Sequence, residues 1–314
     1  MLVGFLDLPR LGTAPSYLLT KTVQARAFAK INAGLRVLAK RPDGFHEIRT
    51  IYQTVSLADR VDVHISPRHN GISFECDREE LGPGRDNLVY RAAKLWQRAR
   101  GFKGGIRLRL EKRIPVGAGL GGGSSDAAVT LLALERLTGN RLCLSARLEL
   151  AANLGSDVPL FLLGGRVLGC GRGEEVYPLT DLPARHCLIV FPGFSVSTAD
   201  AYRELGMRLT EGKEDRRISS LGKRPPFPLE AWGPAENDFE RFVFARWPEL
   251  ARVKRQLIRA GAETASLTGS GSALYAVYES AQQLREAATR IPAGWKVFQV
   301  RTLTRTAYLK RIFV

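Results

Sequence analysis

The sequence predicts an α+β fold divided between two domains. Three observations carry that expectation. The chain has 314 residues, more than one hydrophobic core of ordinary size takes up. Long stretches alternate apolar and polar residues with period two, the pattern of strands that bury one face. Between them, the stretch Ile114 to Ala128 crowds five glycines into positions 117–123, directly before a helix-forming run.

Composition narrows the partners. The apolar fraction, 45%, is that of a globular protein. Lys and Arg number 47 against 31 Asp and Glu, a net charge of +16 that favours anionic ligands. The charges are scattered, whereas a nucleic-acid binder would gather them in a stripe with stacking aromatics, so no nucleic-acid partner is expected. The densest basic run, Lys213 to Arg224, also holds Glu214 and Asp215. No apolar run reaches the length of a membrane span, and Asp7, Pro9, Arg10 and Pro15 spoil a signal-peptide core. Cys76, Cys143, Cys170 and Cys187 form no Cys-x-x-Cys pair, and the four histidines lack metal-ligand spacing. The expectation is a cytoplasmic protein with free thiols, no bound metal and no tightly held cofactor, monomeric or a weak homodimer.

Residues 1–24 read as an N-terminal extension, 25–182 as a first domain and 183–314 as a second. From Gln24 to Val37, Ala25, Ala27, Ala29, Ile31, Ala33, Leu35 and Val37 take one face of a strand. Lys30 and Asn32 lie on the other, about 7 Å apart by strand rise. They either grip a substrate hydroxyl or phosphate or simply face water. Pro42-Asp43-Gly44 is a turn signal. Phe45 and His46 after it suit a base, one stacking and one bonding its polar edge, or else they finish a hairpin. Arg49–Val55 and Asp62–Ile65 read as further strands. Asn87 opens a helix to about Arg98, with Leu88, Ala92, Leu95 and Trp96 as its core stripe.

Ile106, Leu108, Leu110, Lys112 and Ile114 alternate with charged residues, so the strand into the glycine loop is one-sided. The loop lacks the Gly-Lys-Ser/Thr of a Walker motif. Gly117-x-Gly119-x-x-Gly122 fits a dinucleotide fingerprint, but that would follow a wholly apolar strand. A nucleotide-phosphate loop of another architecture and a plain flexible turn remain. Glycines feeding the open end of a helix near Ser124 suit phosphate, because unpaired N–H groups and the positive dipole end meet there. A helix starts at Leu144 and ends at Gly155. Asp157, before Pro159, either caps a short helix or does chemistry. Glycines recur at 164, 165, 171 and 173.

Leu188–Pro192 reads as a strand and Ser197 or Thr198 as the cap of a helix carrying Tyr202. The Pro-rich, charged stretch 209–232 reads as a long loop or mobile flap. A helix opens near Glu236. Ala265–Tyr278 is strand, glycine turn, strand, with small residues that permit close backbone approach. A helix at 282–290 and a strand at 297–302 finish an α/β sandwich.

The loop Pro115 to Ser125 resembles the Pro-x-x-x-Gly-Leu-Gly-Ser-Ser loop of the GHMP small-molecule kinases. Its triple glycine before Ser124 most resembles the branch of that family acting on cytidine-diphosphate methylerythritol in the non-mevalonate isoprenoid pathway. Ala29-Lys30-Ile31-Asn32, Asp43-Gly44-Phe45-His46, Gly155-Ser156-Asp157-Val158-Pro159, Asn237-Asp238-Phe239-Glu240 and the 265–278 turn match further family segments in order. The resemblance implies an N-terminal ribosomal-S5-like domain and a C-terminal ferredoxin-like sandwich. It implies ATP with Mg2+ as co-substrate, the ATP phosphates held by Pro115, Val116, Gly117, Ala118, Gly119, Leu120, Gly121, Gly122, Gly123, Ser124 and Ser125. Ser124 or Ser125 would contact the magnesium. Asp157 would be the catalytic base, and Lys30 would steady its charge and orient the hydroxyl. Asn32, Phe45, His46, Tyr202, Thr268, Gly269, Ser270 and Gly271 would bind the substrate. Phe45 replaces the family's usual tyrosine, so stacking is kept and a phenolic contact is not. A sister kinase for homoserine, mevalonate or a sugar would keep the loop without an aromatic-His clamp.

Overall fold

A computed structural model describes residues 20–67, 70–78, 84–211, 232–233 and 235–314. Most of the N-terminal extension, the basic run at 213–224 and most of the 209–232 stretch lie outside the described residues.

Two strands of unusual length set the architecture. Strand β1 (Lys21–Lys40) and strand β2 (His46–Ser66) pair antiparallel along their whole length. One half of β2 pairs with β4 (Gly105–Glu111), the other with β5 (Arg166–Cys170). Strands β3 (Ile72–Cys76) and β6 (Glu175–Pro178) finish a six-stranded sheet of order β3-β4-β2-β5-β6, with β1 on β2. The alternation read for β4 is correct, and its apolar face packs inward. The sheet is nonetheless mixed. Strand β3 runs parallel to β4, joined through helix α1 (Leu88–Arg100). The side chain of Asn87 caps α1 by accepting from the Val89 N–H, and Gly101 ends it in the left-handed region.

Helix α2 (Gly122–Thr138) is buried nearly all round, against β1, β2, α1 and α3 (Leu144–Leu154). Trp96, Leu131 and Leu134 sit in its core with the short helix α4 (Leu160–Leu163). The second sheet is antiparallel, in the order β10 (Lys296–Arg301), β7 (His186–Phe191), β9 (Leu274–Tyr278), β8 (Thr264–Leu267). Helices α5 (Thr198–Glu211), α6 (Glu240–Arg246), α7 (Pro248–Arg259) and α8 (Ala281–Ala288) accompany it. Ser197 supplies the expected cap, accepting from the Asp200 N–H. Helix α9 (Arg305–Arg311) returns to the first sheet, where Tyr308 and Ile312 join the first core and Phe313 bridges to Ala25.

The length of β1 explains why its middle is buried on both faces. Ala25, Ala27 and Phe28 belong to the first core, and Leu35 and Val37 to the core of the second sheet. Between them Ala29 and Ile31 join a third cluster with Ile114, Leu120 and Tyr275. Register shifts between Phe28 and Lys30 and between Asn32 and Leu35 break the pleat there. Bulges of this kind re-aim side chains. The reading in which Lys30 and Asn32 face water therefore fails: they are 3% and 2% exposed. The four cysteines are free thiols, and no helix among the described residues is long and apolar enough to cross a membrane.

Candidate active site

The glycine loop folds as a partition between two clefts. Gly119, Gly121 and Ser124 line both. The smaller cleft, about 410 Å3, is walled by Pro115 through Ser124 with Asp86, Asn87, Leu88, Leu110, Lys112 and Asp126. The larger, about 740 Å3, takes Lys30, Asn32, Phe45, His46, Asp157, Tyr202, Gly269 and Ser270 from the expected set. Another cavity of about 700 Å3, beside Arg26, Arg60 and Arg113, holds none of the expected residues.

Close approach shapes the loop. Gly119 has φ 79°, and a Cβ there would stand 2.0 Å from the Thr268 carbonyl oxygen. Only glycine lets the two turns meet so closely. The Ala118 carbonyl accepts from the Ala273 N–H at 3.2 Å, and the Leu120 carbonyl from the Lys30 N–H at 3.0 Å. Helix α2 begins at Gly122, two residues earlier than the helix pattern predicts, so its open N-terminus faces the loop.

A buried charge cluster braces this end from beneath. Lys112 Nζ bonds Asp59 and lies 2.8 Å from Asp126 Oδ2. Asp59 Oδ1 also accepts the N–H groups of Arg113 and Ile114, which lead into the loop. Burial works against the Lys112 charge, but Asp126 and Asp59 outweigh it and raise its pKa. Burial, with the Asp59 charge, pushes Asp126 well above the usual carboxylate range despite Lys112. The alternation pattern had placed Lys112 on the inner face. A lysine in phase with buried residues is the signal of a buried acid, though not of which one.

Asp157 is not the cap of α4. Pro159 occupies that position and no side chain caps it. The carboxylate turns instead into the larger cleft. Its Oδ2 lies 3.4 Å from Lys30 Nζ, and its Oδ1 accepts the Tyr52 hydroxyl at 2.9 Å. Lys30 Nζ donates to Asn32 Oδ1 at 2.7 Å, and Asn32 Nδ2 to Thr50 Oγ1 at 2.8 Å. The lysine stem runs under Gly121, where a Cβ would meet its Cγ at 3.0 Å. The ammonium is thus fixed between a carboxylate and an amide, at the side of the loop that faces the larger cleft.

At the far end of that cleft His46 stacks on Tyr202, ring centroids 4.8 Å apart and 16° from parallel. Tyr202 in turn meets Phe239 edge-on at 4.9 Å. Phe45 is half exposed, with the Arg172 guanidinium 4.8 Å above its ring. Burial, and then the Lys40 charge, lower the His46 pKa, which keeps the ring neutral near pH 7. Its Nε2 is buried without a hydrogen-bond partner. A buried polar atom left open in a cleft wall is a place for a ligand atom.

Three expected residues stand elsewhere. Ser125 is fully buried, its Oγ without a partner, and lines neither cleft. Thr268 serves structure, its hydroxyl 3.0 Å from the Gly119 carbonyl and 3.2 Å from Asn32 Oδ1. Gly271 closes the turn, its N–H donating to the Thr268 carbonyl at 3.0 Å, and lines neither cleft. Asn237 holds that turn from below by donating to the Leu267 and Gly269 carbonyls. Tyr52, Lys40, Arg172 and Arg203 line the larger cleft without having been singled out in the sequence.

The family model described as GHMP kinases N terminal domain matches residues 87–165, and GHMP kinases C terminal matches residues 229–297. The chain is 48% identical over 269 residues to the 4-diphosphocytidyl-2-C-methyl-D-erythritol kinase of Solibacter usitatus, covering 82% of each. It is 39% identical to the enzyme of that name from Pelotomaculum thermopropionicum, over 85% of this chain and 93% of the other. A crystal structure of 4-(cytidine 5'-diphospho)-2C-methyl-D-erythritol kinase superposes with a TM-score of 0.72 at 38% identity, covering 89% of this chain and 98% of that one.

Proposed function

Since this chain belongs to the 4-diphosphocytidyl-2-C-methyl-D-erythritol kinases of the GHMP family, we propose that it uses Asp157 as base and Lys30 as its charge partner. The reaction moves the γ-phosphoryl group of ATP to the 2-hydroxyl of 4-diphosphocytidyl-2-C-methyl-D-erythritol. The observation that carries this reading is the Lys30–Asp157 pair, 3.4 Å apart, at the edge of the glycine loop.

Phosphoryl transfer asks a protein chiefly for positioning and for stabilisation of negative charge. The nucleotide belongs in the smaller cleft, its phosphates against the backbone of Pro115 to Ser124 and the N-terminus of α2. The acceptor belongs in the larger cleft. Its hydroxyl gives up its proton to Asp157, the oxygen bonds to the γ-phosphorus, and the bond to the β-phosphate oxygen breaks to leave ADP. The Lys30 ammonium offsets charge on the moving phosphoryl oxygens. Magnesium enters with ATP as part of the substrate and neutralises phosphate charge. Ser124, common to both clefts, is the hydroxyl of this chain that would meet it.

The open Nε2 of His46 fits the polar edge of cytosine, the half-exposed Phe45 supplies a face for its ring, and Tyr202, stacked on His46, holds the imidazole in place. Cytosine there directs the other end of the substrate toward Asp157. Lys40, Arg172 and Arg203 on the same walls suit the diphosphate between them.

The test is turnover. Purified protein with Mg-ATP and the cytidine-diphosphate substrate should release ADP, and homoserine or mevalonate should not replace that substrate. Turnover on either of those alone would move the chain to a sister activity. His46→Ala should raise KM for the cytidine substrate by roughly tenfold, the worth of one hydrogen bond in a desolvated site, and leave KM for ATP unchanged. An unaltered KM would take His46 out of the clamp.

A further inference from the structure

Two glycines of the β5–β6 hairpin close on one ring, that of Tyr52. A Cβ on Gly169 would stand 2.4 Å from Tyr52 Cε2, and one on Gly173, at φ 107°, would stand 2.5 Å from the Tyr52 hydroxyl oxygen. The hairpin thus comes nearer to this side chain than any larger residue allows. Tyr52 is 1% exposed. The hydroxyl that the socket presents donates to Asp157 Oδ1 at 2.9 Å. Lys30 stands on the other carboxylate oxygen, Oδ2, with its Nζ 5.5 Å from the Tyr52 ring centroid. Each carboxylate oxygen therefore has its own partner.

We propose that Tyr52 is a positioning residue for the base. Its hydroxyl, seated in the Gly169–Gly173 socket, holds the plane of the Asp157 carboxylate so that Oδ2 faces the acceptor hydroxyl and Lys30. This rests on the reading of Asp157 as base. A carboxylate with one oxygen restrained keeps the geometry that proton transfer needs, where a freely turning one spends most of its time misaligned. Burial, and then the Asp157 charge, push the Tyr52 phenol well above its ordinary value, so it keeps its proton and acts as a donor. The charged and titratable groups around the pair come from four directions. Lys30 stands on β1 and Lys40 at its end, His46 starts β2, Tyr202 and Arg203 lie on α5, and Arg172 and Glu174 lie on the hairpin. The inference also gives the hairpin glycines a purpose that phosphate binding does not.

The experiment is a double-mutant cycle on the full chain with Y52F and D157N. A hydrogen bond to an ionised group predicts that Y52F lowers kcat by about tenfold or more, with KM for ATP unchanged. On the D157N background, Y52F should cost nothing further. Equal losses on both backgrounds, or wild-type kcat in Y52F, would overturn the proposal. Wild-type turnover by D157N alone would instead remove the base itself, so the two failures are told apart.

Discussion

Asp157→Asn is expected to lower kcat by roughly 10²–10⁴ while ATP still binds with wild-type affinity. The amide keeps the shape of the carboxylate but cannot take the proton of the acceptor hydroxyl. ATP affinity should hold because the smaller cleft does not include residue 157. Stability should fall only modestly. The Asp157 side chain is 31% exposed but Lys30 is 4% exposed, so the amide takes a carboxylate away from a buried ammonium. That ammonium keeps Asn32 Oδ1 as acceptor at 2.7 Å. Steady-state kinetics, nucleotide binding and a thermal melt on one preparation separate these effects. Wild-type turnover would reduce Asp157 to a structural acid, and a collapsed melting temperature would void the comparison.

Lys30→Met should lower kcat by roughly 10²–10³, the loss seen when one preorganised electrostatic contact to a transition state is removed. Methionine keeps the unbranched stem that runs beneath Gly121 and removes the ammonium. Asn32 Oδ1 loses its 2.7 Å donor but retains the Thr268 hydroxyl at 3.2 Å. Asp157 retains Tyr52. The site should therefore stay folded with the charge balance of the transition state impaired, read as a fall in kcat larger than any change in KM. A loss of less than threefold would mean that Lys30 acts on the fold rather than the reaction.

Signals confined to neighbouring residues were legible. The glycine loop, its helix, the Asn87 start of α1, the Gly155 stop of α3 and the Ser197 cap each depend on a few adjacent positions. Their geometry follows from local backbone preference and orphan N–H groups. The Leu250, Val253 and Leu257 stripe of α7 is equally local, but the many charges around it mask its period. Strand β3 offered only five residues. Alternation gave β1 its existence but not its bulges, because register is settled by β2 and by the second sheet.

The amino-acid order alone determined the strand and helix menu, the phosphate-binding backbone and, through family likeness, which lysine and which aspartate to watch. Tertiary structure decided what those residues touch. Tyr52 and Asp157 are 105 positions apart, Asn32 and Thr268 236 apart, and Lys112 and Asp59 53 apart. No periodicity joins such pairs. Lys112 reaches Asp59 because β4 pairs with β2, and Thr268 reaches Asn32 because the glycine loop lets the 268–271 turn come within van der Waals reach. Burial then fixes the rest. Removing Lys30 and Lys112 from water costs too much unless carboxylates lie beside them, and only the folded chain supplies those carboxylates at bonding distance.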